Sequence, residues 1–600
     1  MASTELAQAV AAFQGGDLDR AQSLAEQGLA AAPSPPLHHL LGLIHCRRGD
    51  PASGVGHLRA AAEAEPGNAT FQLMLIRALV DSGQAEEVLA MPLPPSPSTP
   101  GGLALWQARA EAAGAAGKPE LAADAWRKFA EARPGDWRAL GHLGNALGKL
   151  NRWPEAAEAL VQAARLNPDD PAVQADAVSA LLRAGLLHYA LARYDEAERE
   201  FRLAYSLAPA NRDVIRHLGA ALERTNRLAE LAKLLDESVA IGIATDELAF
   251  LFALHAWREG RVEEARDFLS RANPDDDPVA WNALLARIAD RMGECDMAFE
   301  AAGAMNRAAI DRAVPADFRE EWERKSLAYR EEQRDLARTI TPQWAARIPV
   351  LREPQSKRVA FLLGFPRSGT TLLDTFLLGH PQVEVLEEKQ LVGAAGQVTG
   401  PVAGLPDISP SKLERARATY LDLLAEHVGP RFSGLVIDKF PLDMGSAPLI
   451  HALFPGAPII FAQRHPCDVV LSAYMQPVGM VNFSDIRDAA DYYDAMMGIW
   501  NASLDALPLR VHRAVYEDLV SEPESVLRPL VDFLGLDWDE RVLAHQETAR
   551  KRGTIITPSY DQVTEPVTTR PVGRWKRYRK QLEPVLPILL PWAEKLGYRD

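Results

Sequence analysis

Six hundred residues are more than one hydrophobic core organises, so several domains are expected. A hydrophobic fraction of 47% is ordinary for a globular chain, and a formal net charge of −16 argues against a general binder of nucleic acid or acidic membranes. The three cysteines, Cys46, Cys295 and Cys467, lie far apart without metal-ligand spacing, so no disulfide framework and no metal site are expected. That usage fits a reducing compartment. The opening MASTELAQAVAAFQGGD lacks the basic stretch and apolar core of a secretory signal, and no run of about twenty apolar residues occurs. A cytoplasmic chain without a membrane span is expected.

The first half reads as a repeat array. A turn residue followed five positions later by a small or aliphatic residue recurs at Gly16/Ala21, Gly49/Gly54, Gly83/Val88, Gly117/Ala122, Asn151/Ala156, Ala192/Ala197, Asn226/Leu231, Gly260/Ala265 and Gly293/Ala298. The steps are 33, 34, 34, 34, 41, 34, 34 and 33 residues. Paired helices at a 34-residue period resemble tetratricopeptide repeats. Each pair leaves an apolar stripe that only a neighbour can cover. The small residue of each second helix allows close approach. About nine pairs are expected over residues 1–314, wound, as repeats of this kind are, into a right-handed superhelix with a concave face. The 41-residue step implies a lengthened first helix around 181–187, and the proline-rich 91–102, MPLPPSPSTPGG, should be a loop. Such an array binds a peptide or partner protein on its concave face, or it only scaffolds the second half of the chain. Both readings stay open.

Residues 315–354 read as a charged helical linker, broken near Thr341-Pro342, its charges a solvated face. From 355 to 600 short apolar runs alternate with helical patterns, which predicts a parallel sheet covered on both faces. The central stretch is RVAFLLGFPRSGTTLLDTFLL, 358–378. It reads as strand, glycine-bounded loop, helix, an arrangement that aims backbone N–H groups at an anionic oxygen cluster. The spacing G-x4-G-T-T differs from a P-loop at the lysine, where Thr370 stands, which argues against ATP or GTP hydrolysis. Arg367 is the replacement cation, and its planar fork suits tetrahedral oxyanions. The bland reading is a tight turn using glycine for geometry.

Further apolar strands end in charged groups. Residues 383–388, VEVLEE, end in two carboxylates, of which one can take a proton from a hydroxyl. Lys439 ends the run 434–439, and ligands of open α/β sheets sit outside such ends. Arg464 ends 458–464, with Ser472 about two turns into the next helix, a fitting pair for a second phosphate. Residues 511–536 read as strand, Tyr516-Glu517-Asp518-Leu519, then an amphipathic helix. The tail from Ser559 to Arg579 concentrates cations and aromatics that can close over an anionic nucleotide, with Trp575 packing rather than touching ligand.

Together PRSGTTLL (366–373), HPQVEVLEEKQ (380–390), the Lys439 strand end, QRHPCDVVLSAYMQ (463–476), YEDLVSEPESVLRPLVDFLGL (516–536) and SYDQVTEPVTTRPVGRW (559–575) resemble the sulfotransferases that use 3′-phosphoadenosine 5′-phosphosulfate (PAPS). The resemblance is to the branch with tyrosylprotein sulfotransferases and with bacterial proteins that join tetratricopeptide repeats to such a domain. It implies that Arg367, Ser368, Gly369, Thr370 and Thr371 bind the 5′-phosphosulfate, that Arg464 and Ser472 bind the 3′-phosphate, and that Tyr516 lies at the nucleotide. It implies Glu388 as general base, with Lys439 and Arg367 stabilising the transferring sulfonate. Arg574 stands where that branch has lysine, and Ser559 lies one position from a cofactor-contacting serine. The implied reaction is in-line transfer of a sulfonate to an acceptor hydroxyl, releasing 3′,5′-ADP without a metal. The acceptor is a protein or peptide tyrosine presented by the repeats, a sugar, or a small molecule. Two rival classes remain: a P-loop-like phosphotransferase, and a repeat scaffold with a non-catalytic nucleotide-binding domain.

Overall fold

The structure, a computed structural model, describes residues 2–99, 101–352, 358–429, 432–476, 483, 485–552 and 567–599. They form two compact units, Met1–Ala221 and Leu222–Asp600. In chain order, from Ala2–Gln14 to Cys295–Ala313, eighteen α-helices follow one another as nine pairs.

The periodic residues explain the pairs. All nine turn residues named above adopt positive φ, from 56° at Ala192 to 83° at Gly16. This left-handed residue ends the first helix and turns the chain back. The position five residues on is buried in all nine pairs. A second close approach lies opposite it: a Cβ on Gly144 would stand 2.4 Å from Leu160 Cγ, and one on Gly185 2.4 Å from Phe201 Cε1. Aspartates start several helices; Asp136 Oδ1, for example, accepts from the N–H groups of Arg138 and Ala139.

Both irregularities of period have structural counterparts. Helix Pro171–Ala190 has 20 residues, against 13 in Trp137–Lys149. Helix Ala85–Ala90 stops after 6 residues, and the next begins at Gly102. The buried Arg109 guanidinium donates to the carbonyls of Val88 and Leu89, and Trp106 Nε1 to that of Pro95. These bonds satisfy backbone acceptors that the proline-rich segment leaves without a helix.

The second unit holds a five-stranded parallel sheet: β1 Arg358–Gly364, β2 Val383–Glu387, β3 Leu435–Lys439, β4 Pro458–Gln463 and β5 Arg510–Val515, in the order β2-β3-β1-β4-β5. Alternate residues of a strand enter different cores. Phe361 and Leu363 join Val436 and Phe461 on one face; Ala360 and Leu362 join Ile437 and Ile460 on the other. The register pairs Leu362 with Lys439 and Glu387 with Lys439, which brings the charged strand ends to one edge.

Two local readings change. The linker helix Arg319–Thr339 is not solvated on all its charges. Arg330 is buried and donates to Asp488, and Arg334 donates to Asp491, both on helix Ile486–Ala506. Ion pairs there add to the packing of Leu336, Ala337 and Tyr329. Tyr516 begins helix Tyr516–Ser521 directly after β5. No helix among the described residues is long and apolar enough to cross a membrane.

Ala192 holds φ at 56° without being glycine or asparagine. That conformation costs an L-residue roughly 1–2 kcal/mol, while glycine adds roughly 0.5–1 kcal/mol of unfolded-chain entropy. Ala192→Gly should therefore stabilise by about 0.5–1 kcal/mol and raise the urea midpoint. A lowered midpoint would mean that the alanine methyl packs usefully.

Candidate active site

Gly364 ends β1, and Gly369 precedes helix Thr370–Leu378. Between them the chain folds back, with Ser368 N–H donating to Phe365 O at 3.0 Å. Space fixes the second glycine. Its φ is 96°, and a Cβ there would stand 2.4 Å from Tyr516 Cδ2. The helix starts without a side-chain cap, and its N-terminus suits an anion. Ser368 is buried, and its Oγ has no hydrogen-bond partner among the described residues. An anionic oxygen in the loop would supply one.

Arg367 has φ 73°, and its Nε donates to Ser472 Oγ at 3.1 Å. Arg464 Nη1 donates to the Arg367 carbonyl at 3.0 Å, and its guanidinium lies 4.5 Å from the centre of the Tyr516 ring. Burial holds the Tyr516 phenol above its ordinary range, against the pull of Arg464 and Arg367. The two expected anion sites, loop and strand end, are thus one hydrogen-bonded assembly.

Six non-glycine residues have positive φ among the described residues. Asn151, Ala192 and Asn226 are repeat turns. The other three, Arg367, Glu388 and Gln390, lie in this loop and just after β2. Backbone strain of this kind persists where surroundings over-determine it, often at functional sites.

Lys439 is fully buried at the end of β3. Its Nζ lies 3.1 Å from Glu388 Oε1, 3.3 Å from Glu387 Oε1 and 3.6 Å from Asp374 Oδ2. Burial alone would lower its pKa; Asp374, Glu387 and Glu388 outweigh that and raise it. The two glutamates divide. Glu387 is 7% exposed, whereas Glu388 is 30% exposed and has its backbone N–H fixed on the Lys439 carbonyl at 2.8 Å. Asp374, one turn beyond Thr370, connects this cluster to the helix that follows the glycine-bounded loop.

A cavity of about 470 Å³, of a size suited to a small-molecule ligand, is lined by Arg367, Gly369, Thr370, Thr371, Arg464, Ser472, Tyr516 and Arg574. Its walls carry eight arginines against two carboxylates. A larger cavity of about 1110 Å³, beside helix Arg319–Thr339, contains none of the candidate residues. Glu388 and Lys439 line neither cavity, and Ser559 lies outside the described residues.

The sequence reading missed the residues that hold these groups. Asp468, on helix Pro466–Tyr474, accepts from Gly573 N–H and Trp575 N–H, each at 2.7 Å. Arg464 Nη2 donates to Pro571 O at 2.8 Å. Trp575 is buried against the His465 ring, as its packing role required. Glu517 accepts from His465 N–H and Tyr598 Oη. Asp290, of helix Pro278–Met292, accepts from Arg574 Nε at 3.1 Å and Tyr578 Oη at 2.6 Å. Only the nearness of Asp468 and Glu517 to recognised motifs could have marked them, and Asp290 had no such signal.

Comparison with known proteins follows this division. Residues 360–540 match the model of a sulfotransferase family, and residues 6–69, 108–171 and 142–213 match that of the tetratricopeptide repeat. An uncharacterized protein of Aquifex aeolicus is 29% identical over 67% of this chain, and the match spans 53% of that relative. Protein-tyrosine sulfotransferase 1 of Danio rerio is 28% identical over 40% of this chain and 71% of its own length. The sulfotransferase domain of a Synechococcus olefin synthase is 26% identical, over 38% of this chain and 90% of that one, with a TM-score of 0.27.

Beside Lys439, β3 carries a second buried charge. Asp438 accepts from Tyr420 Oη at 2.9 Å, but its Oδ1 has no hydrogen-bond partner among the described residues. Burial pushes its pKa up from 3.8 to about 6. A raised folded-state value means stability that is full below about pH 4 and lost as pH rises through 6. Asp438→Asn should therefore gain stability over wild type between pH 4 and 7, by on the order of 3 kcal/mol. Urea midpoints across that range test it, and a pH-independent difference would refute the burial argument.

Proposed function

The chain carries a sulfotransferase-family domain behind tetratricopeptide repeats, and from that premise we propose that it transfers a sulfonate group from PAPS to an acceptor hydroxyl, leaving 3′,5′-ADP. The observation that carries the cofactor reading is the assembly of Arg367, Ser472, Arg464 and Tyr516 in one arginine-lined cavity. One cation alone would suit many anions. Two arginines joined through a backbone carbonyl and backed by an aromatic ring suit a nucleotide with phosphates at two positions.

PAPS supplies the activated sulfonate; the remaining work belongs to the chain. The loop N–H groups and Arg367 hold the phosphosulfate, and they are oriented before the reaction starts, so charge developing there is stabilised with little reorganisation. Arg464 and Ser472 hold the 3′-phosphate, with Tyr516 beside the nucleotide. Thr370 and Thr371 open the helix that faces it. Glu388 takes the acceptor proton. It is the more exposed of the two glutamates, and Lys439 fixes one of its oxygens, which leaves Oε2 for the proton. Lys439 places positive charge beside the transfer. Arg574 lines the same cavity, and the family resemblance assigns Ser559 to the cofactor as well. The relatives named protein-tyrosine sulfotransferases support a tyrosine hydroxyl of a protein or peptide as the acceptor.

3′,5′-ADP at about 100 times its dissociation constant should stabilise the chain by roughly 2.7 kcal/mol, and ADP or ATP should not. Arg464→Ala should abolish the shift. An equal shift with ATP would favour a phosphotransferase, and no shift with any nucleotide a scaffold. Glu388→Gln should keep the 3′,5′-ADP shift and lose roughly 10²–10⁴-fold in turnover. Unchanged turnover would remove Glu388 from the role of base.

A further inference from the structure

The cavity that holds the phosphate loop is not made by the sulfotransferase-family residues alone. Within the second unit, its wall also includes Arg258, Arg287, Asp290 and Arg291, which precede the linker and belong to the last helix pairs of the repeat series. Arg287, Asp290 and Arg291 stand at i, i+3 and i+4 of helix Pro278–Met292, and so share one face. Their place in its last two turns suits cations, because the helix dipole is negative there.

Asp290 has a distinct job on that face. Its Oδ1 accepts from Arg574 Nε at 3.1 Å, Arg577 Nη2 at 3.2 Å and Tyr578 Oη at 2.6 Å. Burial, then the Asp290 carboxylate, pushes the Tyr578 phenol upward. In the first turn of the next helix, Asp296 takes Lys580 and Gln581. The C-terminal segment is therefore held from two sides. Asp468 and Arg464 grip Gly573, Trp575 and Pro571, and the last repeat pair grips the residues from Arg574 to Gln581. Asn306, on helix Cys295–Ala313, donates to Tyr474 O at 2.8 Å and fixes the repeat pair to the helix that carries Ser472.

We propose that helix Pro278–Met292 is a wall of the nucleotide site: Arg287 and Arg291 contact the phosphates of the bound nucleotide, and Asp290 is a positioning residue that sets Arg574 over the same cleft. This rests on the PAPS reading above and deepens it. The last repeats are then part of the ligand site as well as an interaction module. The charge balance favours an anion. Three of the eight cavity arginines come from the repeats, in a chain whose net charge is −16. All three line the cleft; Arg258 also pairs with Glu223 and Arg291 lies over the Trp257 ring, and Arg287 and Arg291, which share the helix face of Asp290, are the two assigned to the ligand.

Calorimetric titration of 3′,5′-ADP into the full chain tests this. The variants are the Arg287→Ala/Arg291→Ala double, the Arg287→Lys/Arg291→Lys double, and Asp290→Asn. The alanine double should raise Kd roughly tenfold or more and flatten its salt dependence. The lysine double should keep most of the affinity. Asp290→Asn should raise Kd and the KM for PAPS several-fold while kcat at saturating PAPS stays at the wild-type value. Wild-type Kd and salt slope in the alanine double would overturn the wall assignment and leave the PAPS reading standing. A melting-temperature loss with unchanged Kd in Asp290→Asn would overturn its positioning role. Failure of wild type to bind 3′,5′-ADP would bring down the reading and the inference together.

Discussion

A single buried ammonium organises the carboxyl edge of the sheet. Lys439 meets Asp374 from the helix after the glycine-bounded loop, and Glu387 and Glu388 from the end of β2. Three elements thereby converge on one charge. Removing the ammonium from such a set should cost roughly 3–5 kcal/mol, because buried carboxylates lose their shared cation. The arrangement is rigid for that reason, and rigidity matters more here than net stability. It relates the loop that would hold a sulfonate to the carboxylate that would take a proton. The left-handed backbone at Glu388 fits this picture. Its N–H bond to the Lys439 carbonyl and its side-chain contact with Lys439 Nζ hold the residue in a conformation it would not choose alone.

The parts legible in the sequence were those with a period or a local signature. Repeat turns were legible because every pair must place one residue in the left-handed region, where glycine and asparagine are the least costly and Ala192 is the exception. The strands were legible as apolar runs, and their charged ends were legible because parallel register lines those ends up. The parts that were not legible are pairings between distant positions. Asp468 meets Gly573 across 105 residues, and Asp290 meets Arg574 across 284. An aspartate on a helix surface carries no local mark of whether it faces water or a backbone amide far along the chain. The linker charges misled for the same reason. Arg330 has the polarity of a solvated face and the burial of a core residue, and only Asp488 distinguishes the two.

The acidity of the chain and the basicity of its cleft belong together. Eight arginines around one small cavity repel one another, and nearby carboxylates relieve that repulsion where they touch. Asp290 and Glu223 do so for the C-terminal and repeat-side arginines. At the loop the bonds are of another kind: Arg367 Nε meets the Ser472 hydroxyl, and Arg464 meets backbone carbonyls. Neutral acceptors such as these orient a guanidinium without cancelling its charge. Eight arginines are thereby gathered around one cavity in a chain whose net charge is −16.

The arginines that the last repeats add to this cavity give a reason for joining them to the sulfotransferase-family domain in one chain. A free-standing interaction module would need only a flexible tether. Here Asp290, Asp296 and Asn306 fasten the last pair to the segment and helix that carry Arg574 and Ser472. A helix pair held this firmly cannot move without moving the cleft. Any protein that bends or stiffens those last helices would then act on the nucleotide site through the Asp290 contacts, and, by reciprocity of binding free energies, nucleotide would alter the grip on that protein by the same factor.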